Sequence, residues 1–229
     1  MTKDEQCQRY RRLVEKRRKC SKCRELGLVN PARDKVCRVF DWRLPHIGPW
    51  TAWQGSLHAE LLVVGKDWGR VQEFRDQGGR DSGGNPTNAK LRRLLESIGF
   101  QIDPPGWEQD GRLYFTNAVL CLRQDGCEPN GACFNNCVSE FLKAQIDLIQ
   151  PKVIVTLGLD VYTAVMGFYR LQPEGSMESA VEKEPPFERI GACTSKLVPV
   201  FHPGFRAERA RSEGQQVADW RRVKQALEE

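Results

Sequence analysis

Residues 61–64, Leu-Leu-Val-Val, form an unbroken apolar run of strand length that stops at Gly65. A strand with one wet face alternates apolar and polar side chains. A strand with no alternation is covered on both faces, the condition of a parallel sheet layered between helices. Two residues past the glycine stands Asp67, just beyond the carboxyl end of that strand, where open α/β sheets bind their ligands. An acid there has an ordinary use as a helix N-cap. A chemical use needs partners from elsewhere in the chain.

The same grammar recurs three times. Residues 113–120 (LYFTNAVL) read as a second strand. Residues 152–157 (KVIVTL) read as a third, closed by Gly158, and residues 197–201 (LVPVF) as a fourth, whose Pro199 argues for an edge or a strand end. Helices fall between them. Residues 89–98 carry Leu91, Leu94, Leu95 and Ile98 on one face, with Gly99 ending the helix. Residues 138–149 carry Phe141, Leu142, Ile146 and Ile149 up to Pro151, and residues 160–168 make a third helix. A polar helix over about 213–228 and a charged one over 4–19 complete the set. Residues 78–88, 121–137 and 172–190 read as loops by composition.

Strands alternating with helices predict an α/β fold of three layers: helices on both faces of a central, mainly parallel four-stranded sheet. A chain of 229 residues suits one domain. Within it, residues 1–58 form a basic helix and a Cys- and Trp-containing extension, 59–206 the α/β core and 207–229 a C-terminal helix. Trp42, Trp50 and Trp53 are expected to pack the extension onto the core.

The net charge is +5, and the first 40 residues hold thirteen lysines and arginines against five acids. Such a face, to which Arg11, Arg12, Arg17, Arg18 and Lys19 are expected to contribute, suits a polyanion, nucleic acid first, and equally suits a solvated basic helix. No apolar stretch approaches the roughly 18 residues of a membrane span, and the first residues contain no apolar signal core. The expectation is therefore no membrane and a cytoplasmic location. Disulfides are rare there, so nine cysteines point to metal or cluster ligation.

Parallel strands share one rim. The chain places Asp67 after the first strand, Asn117 in the second, Gly158 after the third and His202 after the fourth. Each has an ordinary reading: a cap, a satisfied amide, a turn glycine, a packed turn histidine. Together, an acid that steadies a cation or orients water, an amide that reads a base edge and an imidazole that stabilises a departing anion make a site.

Several stretches of the chain resemble a known family: Gly65-Lys66-Asp67-Trp68-Gly69, Tyr114-Phe115-Thr116-Asn117, Cys121, Cys137, residues 151–158 (PKVIVTLG) and His202-Pro203-Gly204. These resemble the uracil-DNA glycosylase superfamily, most closely its iron–sulfur bacterial and archaeal branch, over about residues 20–206. The resemblance implies that Cys20, Cys23, Cys121 and Cys137 ligate a [4Fe–4S] cluster. Zinc accepts the same four thiolates, spacing does not separate the two, and Cys127 and Cys133 are spare candidates. Cys7, Cys37 and Cys193 read as ordinary thiols.

Three departures bear on specificity. Asp67 resembles the water-directing aspartate of the classical enzymes, whereas the iron–sulfur branch usually has no acid there. Trp68 and Gly69 stand where a proline and a bulky tyrosine exclude the thymine methyl. Residues 78–88 lack the aromatic that stacks on uracil, so Phe74 or Trp68 is expected to take its place. The final motif also has glycine where serine is usual.

The resemblance implies a DNA repair glycosylase acting on DNA containing uracil, with no obligate protein partner. Asp67 and His202 are its catalytic pair. Gly65, Lys66, Trp68, Gly69, Phe74, Asn117 and Gly158 bind the substrate, and Phe205 or Arg206 is the wedge that fills the duplex. A glycosylase for another deaminated or mismatched base, and a DNA-binding module of the same fold without turnover, are the alternatives.

Overall fold

The computed structural model describes residues 2–35, 37, 47, 55–78, 85–101, 111–183, 188–191 and 194–229. Trp42, Trp50, Trp53 and Cys193 lie outside the described residues.

The chain begins with α1 (Lys3–Lys19), whose first turn is closed by a capping box between Thr2 and Glu5. Strand β1 (Leu28–Val29) follows, and then β2 (Leu61–Gly65), α2 (Val71–Asp76), α3 (Pro86–Glu96), β3 (Leu113–Asn117) and β4 (Leu122–Arg123). Helix α4 starts at Gly131–Cys137, passes through a π-helical turn at Val138–Leu142 and continues as Lys143–Ile149. The rest is β5 (Val153–Leu157), α5 (Leu159–Phe168), α6 (Met177–Glu182), β6 (Glu188–Ile190), β7 (Ser195–Val200), α7 (Phe205–Glu208) and α8 (Glu213–Glu228).

The central sheet runs β3-β2-β5-β7-β6. Its first four strands are mutually parallel and β6 lies antiparallel along the edge. The four expected strands are therefore the parallel body of the sheet, and a fifth, three-residue strand completes it. That strand and α6 fall within 172–190, which composition had made a loop. Ser176 caps α6 by accepting from the Ser179 N–H, and Met177 and Val181 pack on Phe201. Likewise, residues 121–137 hold β4 and the first turns of α4 rather than a loop alone. Pro199 pairs with Thr156 of β5, and the described residues of β6 pair with 195–197 of β7.

The unalternated strand explains the layers. Leu62 and Val64 face a core formed with α1, α4 and α5, through Tyr10, Val14, Phe141, Ile146 and Val165. Leu61 and Val63 face the opposite core, against Leu91, Leu94 and Leu95 of α3 and Trp220 and Val223 of α8. All four are fully buried, which stabilises the fold by about 2 kcal/mol for each side chain. Both faces being covered, ligands are left the rim.

Candidate functional site

The carboxyl ends of the parallel strands open onto a cavity of about 610 Å³. Gly65, Lys66, Asp67, Trp68, Gly69, Asn117, Gly158 and His202 all line it. Phe74 does not: it is fully buried on the core side of α2, because the helix turns its apolar face inward. The expectation that Phe74 reaches the cavity is corrected accordingly.

Gly65 ends β2 directly opposite Asn117 of β3. A Cβ on Gly65 would stand 2.1 Å from Asn117 Oδ1 and 3.4 Å from Phe115 Cζ. Glycine thus lets the amide lie across the strand tip. Asn117 is 3% exposed, and among the described residues its side chain makes no hydrogen bond. The amide faces the cavity with no protein partner among the described residues, and so is open to a ligand.

The histidine follows β7. The Gly204 N–H donates to His202 Nδ1 at 3.0 Å, so in the neutral ring the proton sits on Nε2. Desolvation in the cavity, and then the charge of Lys66, hold His202 below the ordinary histidine value, although its side chain stays exposed to solvent. Gly158, at φ +90°, receives no closer approach from that side than His202 Cβ, 3.5 Å from its own absent Cβ. Gly204 has less room: a Cβ there would lie 2.8 Å from His202 Nδ1.

Asp67 is not a helix cap; α2 begins at Val71 with Arg70 in the capping position. Its Oδ1 accepts from the Gly69 N–H at 2.8 Å and from Arg123 Nε at 3.0 Å. Gly69 takes φ +86°, the conformation that closes this turn. Burial pushes the Asp67 carboxyl up, Arg123, the Gly69 N–H and Lys66 draw it down, Glu128 opposes them, and the net direction is upward. Lys66 is itself held by Asp160 at 2.9 Å and Glu128 at 3.2 Å, and Glu128 also pairs with Arg123.

Two aromatics line the cavity among its described residues, Trp68 and Phe115. They meet edge to face at 6.1 Å. Phe115 is half-buried and lies two residues before Asn117, hence on the same face of β3. That period-2 relation was present in the sequence and identifies Phe115 as a cavity residue, although it was not on the expected site. Arg123, Glu128 and Asp160 carried no comparable signal. Phe205 stands just beyond the histidine in α7, 71% exposed, with the Arg209 guanidinium 5.7 Å from its ring centroid. The side chain of Arg206 lies outside the described residues.

A second cavity, about 310 Å³, is lined by Cys20, Cys23, Cys121 and Cys137 together. Desolvation, opposed by a hydrogen bond with the Leu120 backbone and reinforced by the neighbouring thiols, pushes Cys137 up to about 12, and Cys23 is pushed up to about 11 chiefly by desolvation. Burial and the other thiols also raise Cys121, which Arg17 draws down. The Asn136 amide donates to Cys23 Sγ at 3.6 Å. Among the described residues no group of three His, Cys, Asp or Glu side chains is arranged to hold a metal ion. Arg17 lines the cavity and is 1% exposed. This corrects its expected place on a basic outer face: α1 turns Arg17 inward with Tyr10, Leu13 and Val14 and leaves Arg11, Arg12 and Lys19 exposed. No helix among the described residues is long and apolar enough to cross a membrane.

The family model for the uracil DNA glycosylase superfamily matches residues 52–225. A type-4 uracil-DNA glycosylase of Sulfurisphaera tokodaii is 29% identical over 124 residues, 54% of this chain and 49% of that protein. The chain thus spans about half the length of that relative. A type-4 uracil-DNA glycosylase of Thermotoga maritima is 29% identical over 157 residues, 66% of this chain and 68% of its own.

Proposed function

The chain belongs to the uracil DNA glycosylase superfamily, and on that premise we propose that it hydrolyses the N-glycosidic bond of uracil in DNA, the opening step of base excision repair. The observation that carries the reading is one rim cavity holding a carboxylate, an unpartnered amide and a neutral imidazole.

The target nucleotide has to leave the duplex to reach this cavity, at a cost of a few kcal/mol. Phe205, exposed beside the histidine, fills the gap, with Arg206 the alternative wedge. Phe115 and Trp68 supply the apolar wall against which the base lies. The Asn117 amide accepts from uracil N3–H and donates to O4. Cytosine presents the reverse pattern and leaves both amide atoms mismatched, which a buried polar group tolerates poorly.

As the C1′–N1 bond breaks, its electron pair leaves with the base and a positive charge develops on the sugar. His202 donates from Nε2–H to uracil O2, where negative charge accumulates. Asp67 steadies the sugar, orients a water whose oxygen bonds to C1′, and accepts its proton. Gly65, Lys66, Gly69 and Gly158 shape the cavity around these groups.

Cys20, Cys23, Cys121 and Cys137 would hold a [4Fe–4S] cluster. A single zinc draws four sulfurs to about 2.3 Å from one point. The four thiols line one cavity with the buried Arg17 beside them, a cation that suits thiolate ligands, and the family resemblance favours the cluster over zinc. Bound there, it supplies four thiolate bonds that tie the turn after α1 to β4 and α4; no step of the hydrolysis is routed through it. The exposed arginines of α1 are read as part of the DNA surface, and the whole chain as one domain.

Oligonucleotides carrying single lesions test the reading. Excision of uracil, with little from cytosine, is the expected result. Gly69 brings no side chain where a bulky residue would exclude a methyl group, so a thymine mismatch and deaminated purines belong in the panel. Cleavage of those without uracil would move the specificity to another base. Tight, salt-sensitive binding with no cleavage of any lesion would make the chain a DNA-binding module.

A further inference from the structure

We propose that Arg123 is the positioning residue of the Asp67 carboxylate, clamping Oδ1 so that Oδ2 is the oxygen presented to water and sugar. The inference rests on the reading of Asp67 as the water-directing acid.

Arg123 ends a strand of only two residues, yet it is fixed from several sides. It is paired with Leu28 of β1, and its N–H donates to Gly69 O at 2.9 Å. Its Nε reaches Asp67 Oδ1 at 3.0 Å, and its Nη1 holds Glu128. The Asp67 side chain is 4% exposed and that of Arg123 20%, so the pair is largely withdrawn from water. Oδ1 receives two donors, and among the described residues Oδ2 receives none. A carboxylate held by one oxygen has lost its rotation and offers the other in a fixed direction. A guanidinium is suited to the task because its planar fork serves two carboxylates at once, which a lysine ammonium on a flexible stem does not. Those same two bonds occupy donors that a DNA phosphate would otherwise claim.

The charged and titratable groups around Asp67 are Arg123, Lys66 and Glu128, with Glu73, Asp160 and His202 elsewhere on the cavity lining. Removing Arg123 takes away the strongest cation acting on it, which moves its protonation to higher pH.

The test is single-turnover excision of a uracil oligonucleotide across pH, with DNA affinity and melting temperature measured alongside. Arg123→Gln is expected to slow excision by about ten- to a hundredfold, the scale of a misplacement near 1 Å. Affinity stays nearly constant and the acid limb of the pH profile moves upward. Arg123→Lys, which keeps the charge, is expected to recover part of the rate and leave the acid limb near its original place; it carries the test if the glutamine variant melts early. In the Asp67→Asn background, Arg123→Gln is expected to add no further loss. Losses that multiply in the double variant, or weaker binding at an unchanged rate, would overturn the inference while leaving Asp67 in its role. An unchanged rate in Asp67→Asn alone would remove the acid itself, and the inference with it.

Discussion

Gly65→Ala is the smallest change that tests how the base is read. The added Cβ would lie 2.1 Å from Asn117 Oδ1, where ordinary contact begins at 3.4 Å, so the amide must retreat by about 1.3 Å. Gly65 closes β2, and alanine is the better strand residue by roughly 0.5–1 kcal/mol, so global stability should change little. The amide has no protein bond to lose among the described residues, so it can swing away cheaply. The damage falls on recognition. Misplacing a positioning group by about 1 Å costs about a hundredfold, or roughly 3 kcal/mol of transition-state stabilisation. We expect single-turnover uracil excision to fall by about that factor, with melting temperature and duplex affinity near wild type. Discrimination against cytosine should fall as well, since the group proposed to distinguish the two is the one displaced. An alanine variant that excises uracil at the wild-type rate would mean that Asn117 does not read the base from the position seen, and the substrate pose derived above would be wrong.

Further outcomes follow from other parts of the molecule. Cys121→Ala should lower bound iron and remove the broad visible absorption of a thiolate-held cluster; protein with stoichiometric zinc and no iron would refute the cluster. Glu140, hydrogen-bonded to Lys16 and Lys22, is lowered from 4.5 to about 2, so its contribution is fully present above pH 4.5 and fades as pH falls toward 2. Melting between those values should show an acid loss that Glu140→Gln abolishes, and identical pH curves would exclude the pair as its source. Phe205→Ala should leave melting unchanged, because the ring is 71% exposed, and should slow excision from duplex more than from single strands; equal slowing would argue against a wedge. Replacing Arg11 and Arg12, both exposed, should flatten the dependence of DNA affinity on salt by roughly one unit of slope for each phosphate they neutralise, whereas an unchanged slope would place the phosphates elsewhere.

The two-sided burial of residues 61–64, the parallel order of the four main strands and the gathering of Asp67, Asn117 and His202 on one rim were all legible in the sequence. Each depends on local pattern: an apolar run without alternation, a glycine at a strand end, and the rule that parallel strands share a carboxyl edge. The four cysteines lining one cavity were also expected, from the family resemblance. Composition misread the segments holding β6, α6 and β4, because elements of two to six residues carry too few positions to show a period. Phe74 and Arg17 were misplaced for a related reason. Which face of a short or charged helix turns inward depends on the packed neighbours it meets, and those come from distant parts of the chain.

The partners of Asp67 belong to the fold alone. Arg123 reaches it across 56 residues, from a two-residue strand that exists because β1 is there to pair with it. Local patterning places backbone elements and their apolar faces, since those depend on residues a few positions apart. The state of a buried carboxylate depends on which charges stand within a few ångströms of it, and that distance is a property of the folded chain.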